Sequence, residues 1–233
     1  MVSTTAAWVI VSVHLRRLKL LLEPYRLIAL LVLVAQAAMA QLEPKCVENS
    51  PERRGEFGCS YVENKPLPNN LKEPLFWHID QFDSGDPAQA AVGPASVAFQ
   101  AGGKWWLFTI ESAVANHHGG RHIAQVALPP LPSAKKYALL VYSSYIPTGL
   151  TSRVHYHSGP EAFYIVEGEG CLRTEGRTYP MRKGDTLAVP TGITMQFVAT
   201  GSIPRRAFAV VVYDASQTPT SHAENPPQLA ECK

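Results

Sequence analysis

Between residues 75 and 214 the apolar side chains fall into short runs, each closed off by Gly, Pro, Asp or Asn. The runs FWHIDQF, ASVAFQ, KWWLFTI, RHIAQVAL and YALLVYSSYI are separated by SGDP, AGG, NHHGG and PPLPSA. Further on come EAFYIVE, CLRTE, RTYPM, TLAV, MQFVAT and RRAFAVVVYD, with turns at Glu175-Gly176, at Lys183-Gly184-Asp185 and at Pro190-Thr191-Gly192. No segment sustains the 3.6-residue period of an amphipathic helix. Many short strands at close spacing with turn signals predict an all-β sandwich or barrel. Neighbouring residues of a strand point to opposite faces, so Trp105 and Trp106 cannot both enter a core. One of the two belongs at a surface or a pocket rim.

The ends of the chain follow other patterns. A basic segment (Arg16, Arg17, Lys19, Arg26) precedes the apolar run LIALLVLVAQAAMA, which closes on Ala38-Met39-Ala40. This is the pattern of a secretory signal peptide over residues 1–40, with a small-x-small cleavage site. An uncleaved anchor is the rival reading, but the continuous apolar run is shorter than the ~20 residues that span a bilayer. The expected location is secreted or periplasmic, with no stable membrane span once the signal is removed. Residues 41–74 read as an N-terminal extension and residues 75–214 as the barrel. Residues 215–233, Pro-rich and polar, read as a tail running over the surface.

The formal charge of +2 belongs mostly to the signal, because residues 41–233 carry 17 basic against 18 acidic side chains. No clustered basic face remains for phosphate, which argues against a nucleic-acid partner. All four cysteines lie after residue 40, and an even count in an exported chain predicts disulfides. Cys46 and Cys59 bracket a charged loop without a core of its own, and closing it would contribute about 3 kcal/mol. That favours Cys46 with Cys59, and Cys171 with Cys232 by elimination, although four cysteines allow three pairings.

The stretch over residues 149–168, GLTSRVHYHSGPEAFYIVEG, carries the candidate chemistry. His155 and His157 are two residues apart, so on a strand they share one face, roughly 6–7 Å apart along the backbone. Gly159 and Pro160 bend the chain, and Glu161 opens the next strand. The set of two imidazoles and one carboxylate suits a first-row divalent ion. By alternation Phe163 and Ile165 share the face of Glu161 and would line an apolar pocket, whereas Tyr164 and Val166 turn away.

The spacing of Gly149, His155, His157, Glu161 and Gly168 resembles the first signature of the cupin superfamily, G-x5-HxH-x3-E-x6-G. The second signature, G-x5-PxG-x2-H-x3-N, begins with Gly184, Pro190 and Gly192. Its histidine position holds Met195 and its asparagine position Ala199, so residues 184–199 match only in part. The resemblance implies a cupin jelly-roll barrel, a single domain whose first strands extend or wrap it. It also implies a homodimer through barrel faces and a metal held by His155, His157, Glu161 and the residue at position 195.

A thioether is a weak, soft ligand best suited to copper. Three readings therefore stand side by side. The site holds Fe, Mn, Ni, Zn or Cu with Met195 as a packing neighbour; Met195 itself ligates copper; or the barrel has lost its metal. Among the other histidines, His117, His118 and His122 read as a solvated loop, His78 as a structural residue, and His222 as part of the tail without a role. The resulting expectation is an exported metal-binding barrel acting on a small organic molecule as an oxygenase or isomerase. The alternative is a non-enzymatic barrel holding a small ligand, and no residue is assigned as catalytic.

Overall fold

The computed structural model describes residues 59–112 and 119–232. The signal segment, Cys46, the side chain of Cys59, His117 and His118 lie outside the described residues. The first half runs through β1 (Cys59–Pro66), β2 (Phe76–Phe82), α1 (Gly85–Ala90), β3 (Ser96–Ala101), β4 (Lys104–Glu111), β5 (Arg121–Ala127) and β6 (Tyr137–Ile146). Then follow β7 (His155–His157), β8 (Glu161–Glu167), β9 (Glu169–Thr174) and β10 (Arg177–Arg182). The last strands are β11 (Thr186–Val189), β12 (Met195–Ala199), β13 (Arg205–Asp214) and β14 (Thr220–His222).

The strands form three antiparallel sheets. Sheet one has the order β1-β6-β13-β8-β11, sheet two β10-β9-β12-β7-β14, and sheet three β3-β4-β2-β5. Sheets one and two face each other as an all-β jelly-roll barrel. Its interior is filled by Ile146, Phe163 and Ile165 from one side and Leu172, Met195 and Phe197 from the other. Sheet three covers the outer face of sheet one, where Trp77, Phe99, Trp106 and Phe108 meet Val141, Phe208 and Val210. Phe208 takes edge-on contacts from Phe99, Trp106 and Phe108, with ring centroids 4.9–5.3 Å apart. Such pairs add about 0.5–1.5 kcal/mol each beyond the area they bury.

Three layers explain why RRAFAVVVYD does not alternate. β13 is central in sheet one and lies between the barrel interior and sheet three, so both of its faces are dry. Trp106 is buried in the layer between sheets one and three, and Trp105 turns to the opposite face of β4. There its indole lies so close to Gly85 that a Cβ at that position would meet Trp105 Cζ2 at 2.7 Å.

Two elements depart from the sequence expectation, whereas the N-terminal extension supplies a strand as expected. SGDP, read as a turn, leads into the six-residue α1, whose Ala88 packs against Phe82 and Leu107. The extension before residue 75 contributes β1, which pairs with β6 along the edge of sheet one. The tail is not confined to the surface: β14 is the edge strand of sheet two, Leu229 is buried, and a disulfide joins Cys171 to Cys232. Among the described residues no helix is long and apolar enough to cross a membrane.

Candidate metal centre

The HxH strand and the glutamate come from opposite sheets. β7 belongs to sheet two and β8 to sheet one, so the turn between them crosses the barrel wall. Gly159 sits in that turn directly on β13, where a Cβ would come within 1.9 Å of the Val212 carbonyl oxygen. No side chain fits there. The Val212 amide then donates to the Pro160 carbonyl at 3.2 Å, which aims Glu161 back into the barrel. Across the mouth, the amide of Gly192, at φ 78°, donates to the His157 carbonyl at 2.9 Å and delivers β12 beside β7.

These constraints bring His155, His157 and Glu161 together, with one ligand atom of each within 4.8 Å of the others. Glu161 and His157 are buried, and His155 is half-buried at the rim. The two imidazoles stand edge-on, 5.0 Å apart at an interplanar angle of 83°. His155 Nδ1 lies 2.7 Å from the Arg153 carbonyl, and His157 Nδ1 lies 3.1 Å from that of Pro219 and 3.0 Å from Thr220 Oγ1. A carbonyl only accepts, so each Nδ1 carries the hydrogen and each Nε2 presents a lone pair to the site.

The electrostatics follow from burial. Loss of water pushes the His155 pKa down, against its hydrogen bond to the Arg153 carbonyl. Burial, then the neighbouring His155, push His157 down to about 3. Burial lifts Glu161 well above the ordinary carboxylate range, opposed by the positive charge of Arg205. Burial thus disfavours the charged form of all three residues. Although His157 Nε2 and Glu161 Oε2 lie 3.1 Å apart, neither they nor Glu161 Oε1 make a hydrogen bond among the described residues. Buried polar atoms left in this way are costly unless something binds them. Two imidazole nitrogens and a carboxylate fit a divalent first-row ion, whose charge would offset the burial that disfavours the Glu161 carboxylate.

Phe163 and Ile165 lie on the face of Glu161 in the same apolar cluster as Met195, while Tyr164 and Val166 pack toward sheet three. Met195 is buried and stands opposite His155 in the β12–β7 ladder. A groove of about 620 Å³ lined by Thr174, Tyr179, Val189, Pro190 and Ile193 runs outside the Pro190 turn. None of the three clustered residues lines it.

Of the other histidines, His122 lies in β5 and its Nδ1 meets Asp80 Oδ1 at 3.1 Å, while His78 is fully buried with Nε2 4.0 Å from Glu111. Sequence reasoning missed two features. Arg205 is buried inside the barrel with its guanidinium carbon 3.9 Å above the Phe197 ring. Its phase with Ala207 and Ala209, two and four residues on, is the signal that could have found it. Pro219, Thr220 and His222 also come to the site, because β14 pairs with β7 and sets His222 opposite His155. A tail without an apolar pattern gives no such signal.

Residues 142–212 match the family model described as the cupin domain. Over these residues the chain carries a cupin domain. Over 101 residues, 42% of this chain and 84% of the relative, it is 27% identical to an oxalate-binding protein of Thermotoga maritima. An uncharacterized protein of Methanocaldococcus jannaschii is 26% identical over 80 residues, which span 34% of this chain and 60% of that protein. A solved cupin-like protein of Thermotoga maritima is 17% identical with a TM-score of 0.34, over 36% of this chain and 64% of that one.

Proposed function

We propose that the barrel binds one divalent transition metal (Fe, Mn, Ni, Zn or Cu) through His155, His157 and Glu161. In this reading the centre acts on a small carboxylate-bearing organic molecule, by oxygenation or isomerisation. The observation that carries it is the convergence of two imidazoles and one carboxyl group within 4.8 Å, with no hydrogen bond on His157 Nε2 or on either Glu161 oxygen among the described residues. When bound, the ion supplies Lewis acidity and, if redox-active, electron transfer. The Arg153 and Pro219 carbonyls hold both imidazoles in the ligating tautomer. Phe163 and Ile165 exclude water, half-buried His155 marks the side of approach, and Arg205 gives the interior a cation suited to an anionic ligand. The oxalate-binding relative supports a small carboxylate as that ligand.

A second reading, binding without turnover, is favoured by Met195, since a buried thioether replaces the third imidazole and is a weak ligand for ions other than copper. Export belongs to the same proposal: the Cys171–Cys232 disulfide is compatible with an oxidising compartment. A homodimer would use a surface other than the outer face of sheet one, which sheet three covers.

Elemental analysis of protein purified without chelator, followed by oxygen uptake, product analysis and calorimetry with small mono- and dicarboxylates, tests the proposal. Metal with turnover is expected; metal with saturable binding alone selects the second reading. A folded barrel that takes no metal even after reconstitution overturns both. The double variant His155→Ala, His157→Ala should lose its metal while keeping its β-sheet circular dichroism. Stoichiometric metal in that variant would refute the site.

A further inference from the structure

The C-terminal segment reaches the metal centre from the side opposite the second signature. In the ladder between β7 and β14, Thr220 stands opposite His157, Ser221 opposite Tyr156 and His222 opposite His155. Directly paired residues share a face, with Cβ atoms about 4.5–5.5 Å apart. Thr220 identifies that face as the site's own, because its Oγ1 lies 3.0 Å from His157 Nδ1. His222, two residues on, shares it.

On the other flank of His155 stands Met195, its partner in the ladder with β12. One row across three adjacent strands therefore reads Met195, His155, His222.

The register of this segment is held at several points. The Ser158 amide donates to the Pro219 carbonyl at 3.2 Å, and the Ala223 amide to the Val154 carbonyl at 3.1 Å. Farther along, Arg173 Nε donates to the Ala230 carbonyl at 2.7 Å, and Cys232 is bonded to Cys171. The His222 side chain is exposed. His222 is not among the three residues clustered within 4.8 Å, and ligation requires its ring to swing toward His155.

We propose that His222 is a fourth protein ligand of the metal centre, supplied by the C-terminal strand where the second signature offers the thioether of Met195. The proposal rests on the reading that His155, His157 and Glu161 hold a metal. It returns the donor set to three imidazoles and one carboxylate by a different topological route. An additional imidazole strengthens the hold on first-row divalent ions.

The test uses the full mature chain, stripped of metal and titrated with Co²⁺ against a competing chelator, with the visible ligand-field spectrum recorded. His222→Thr keeps a strand-favouring side chain, so β14 stays paired. It should weaken Co²⁺ binding by roughly 10- to 100-fold, the scale on which residues around a metal act. It should also alter the ligand-field spectrum and leave the Tm of the stripped protein unchanged. Adding Met195→His to His222→Thr should restore the affinity.

Equal affinity and an unchanged spectrum in His222→Thr, with His155→Ala abolishing binding, would overturn the proposal and leave the three-residue site standing. Weaker binding with an unchanged spectrum would also overturn it, since His222 would then act only by bracing β14. If the folded wild-type chain takes up no Co²⁺, the underlying metal reading fails, and this inference with it.

Discussion

His157 offers the sharpest test of the site's electrostatics. Its imidazole is buried and its pKa falls from the ordinary 6.5 to about 3, chiefly through loss of water. In metal-free protein the folded state leaves Nε2 unprotonated down to about pH 3, whereas the unfolded chain takes up that proton near 6.5. Between these values the unfolded chain binds one proton more, so stability falls as the pH is lowered. Each unit crossed costs about 1.4 kcal/mol, so moving from pH 6.5 to 4.5 removes about 2–3 kcal/mol through this residue alone. Glu161 acts in the opposite sense: its raised pKa gives stability that is present at low pH and lost as the pH rises. The contribution of His157 is isolated by comparison with His157→Gln, which keeps Glu161 but cannot titrate. The assay is equilibrium urea unfolding of chelator-treated wild type and variant at half-unit steps from pH 4.5 to 7.5. The wild type should lose about 2–3 kcal/mol relative to the variant as the pH falls across the lower two units. Parallel stability curves would refute the reasoning, because they would mean that the imidazole charges as readily in the barrel as in the unfolded chain.

Two structural predictions follow from the supports of the site. Gly159→Ala places a methyl group 1.9 Å from the Val212 carbonyl oxygen, which is backbone and cannot give way. It should cost at least ~2–3 kcal/mol, read as a fall in the urea midpoint, together with loss of metal, since Glu161 is displaced. A fully stable, metal-loaded variant would show that the β7–β8 turn is not anchored on β13. Cys232→Ser opens a loop of 61 residues and should lower stability by about 4 kcal/mol in the loop-entropy account. Because β14 shields His157, hydrogen exchange should also rise over residues 219–223; protection unchanged from wild type would show that the strand holds without the disulfide.

Most of the strands were legible in the sequence because short apolar or alternating runs are closed off by turn residues. FWHIDQF, YALLVYSSYI, TLAV and RRAFAVVVYD coincide with β2, β6, β11 and β13 residue for residue. The inward facing of Phe163 and Ile165 with Glu161 follows from the same two-residue period. The convergence of His155, His157 and Glu161 was foreshadowed by spacing, since HxH shares a face and Gly159-Pro160 permits a sharp bend. Tertiary structure alone decided the rest. No local pattern shows that β7 and β8 lie in opposite sheets, that sheet three covers β13, or that Arg205 is buried over Phe197. The tail is the clearest case: TPTSH has no hydrophobic period, and its partner β7 lies more than sixty residues upstream. Pairing of that kind is set by backbone hydrogen bonds and a distant disulfide, which leave almost no mark on local composition. A sequence announces the faces of its own strands, but which face meets which is settled by contacts between segments far apart in the chain.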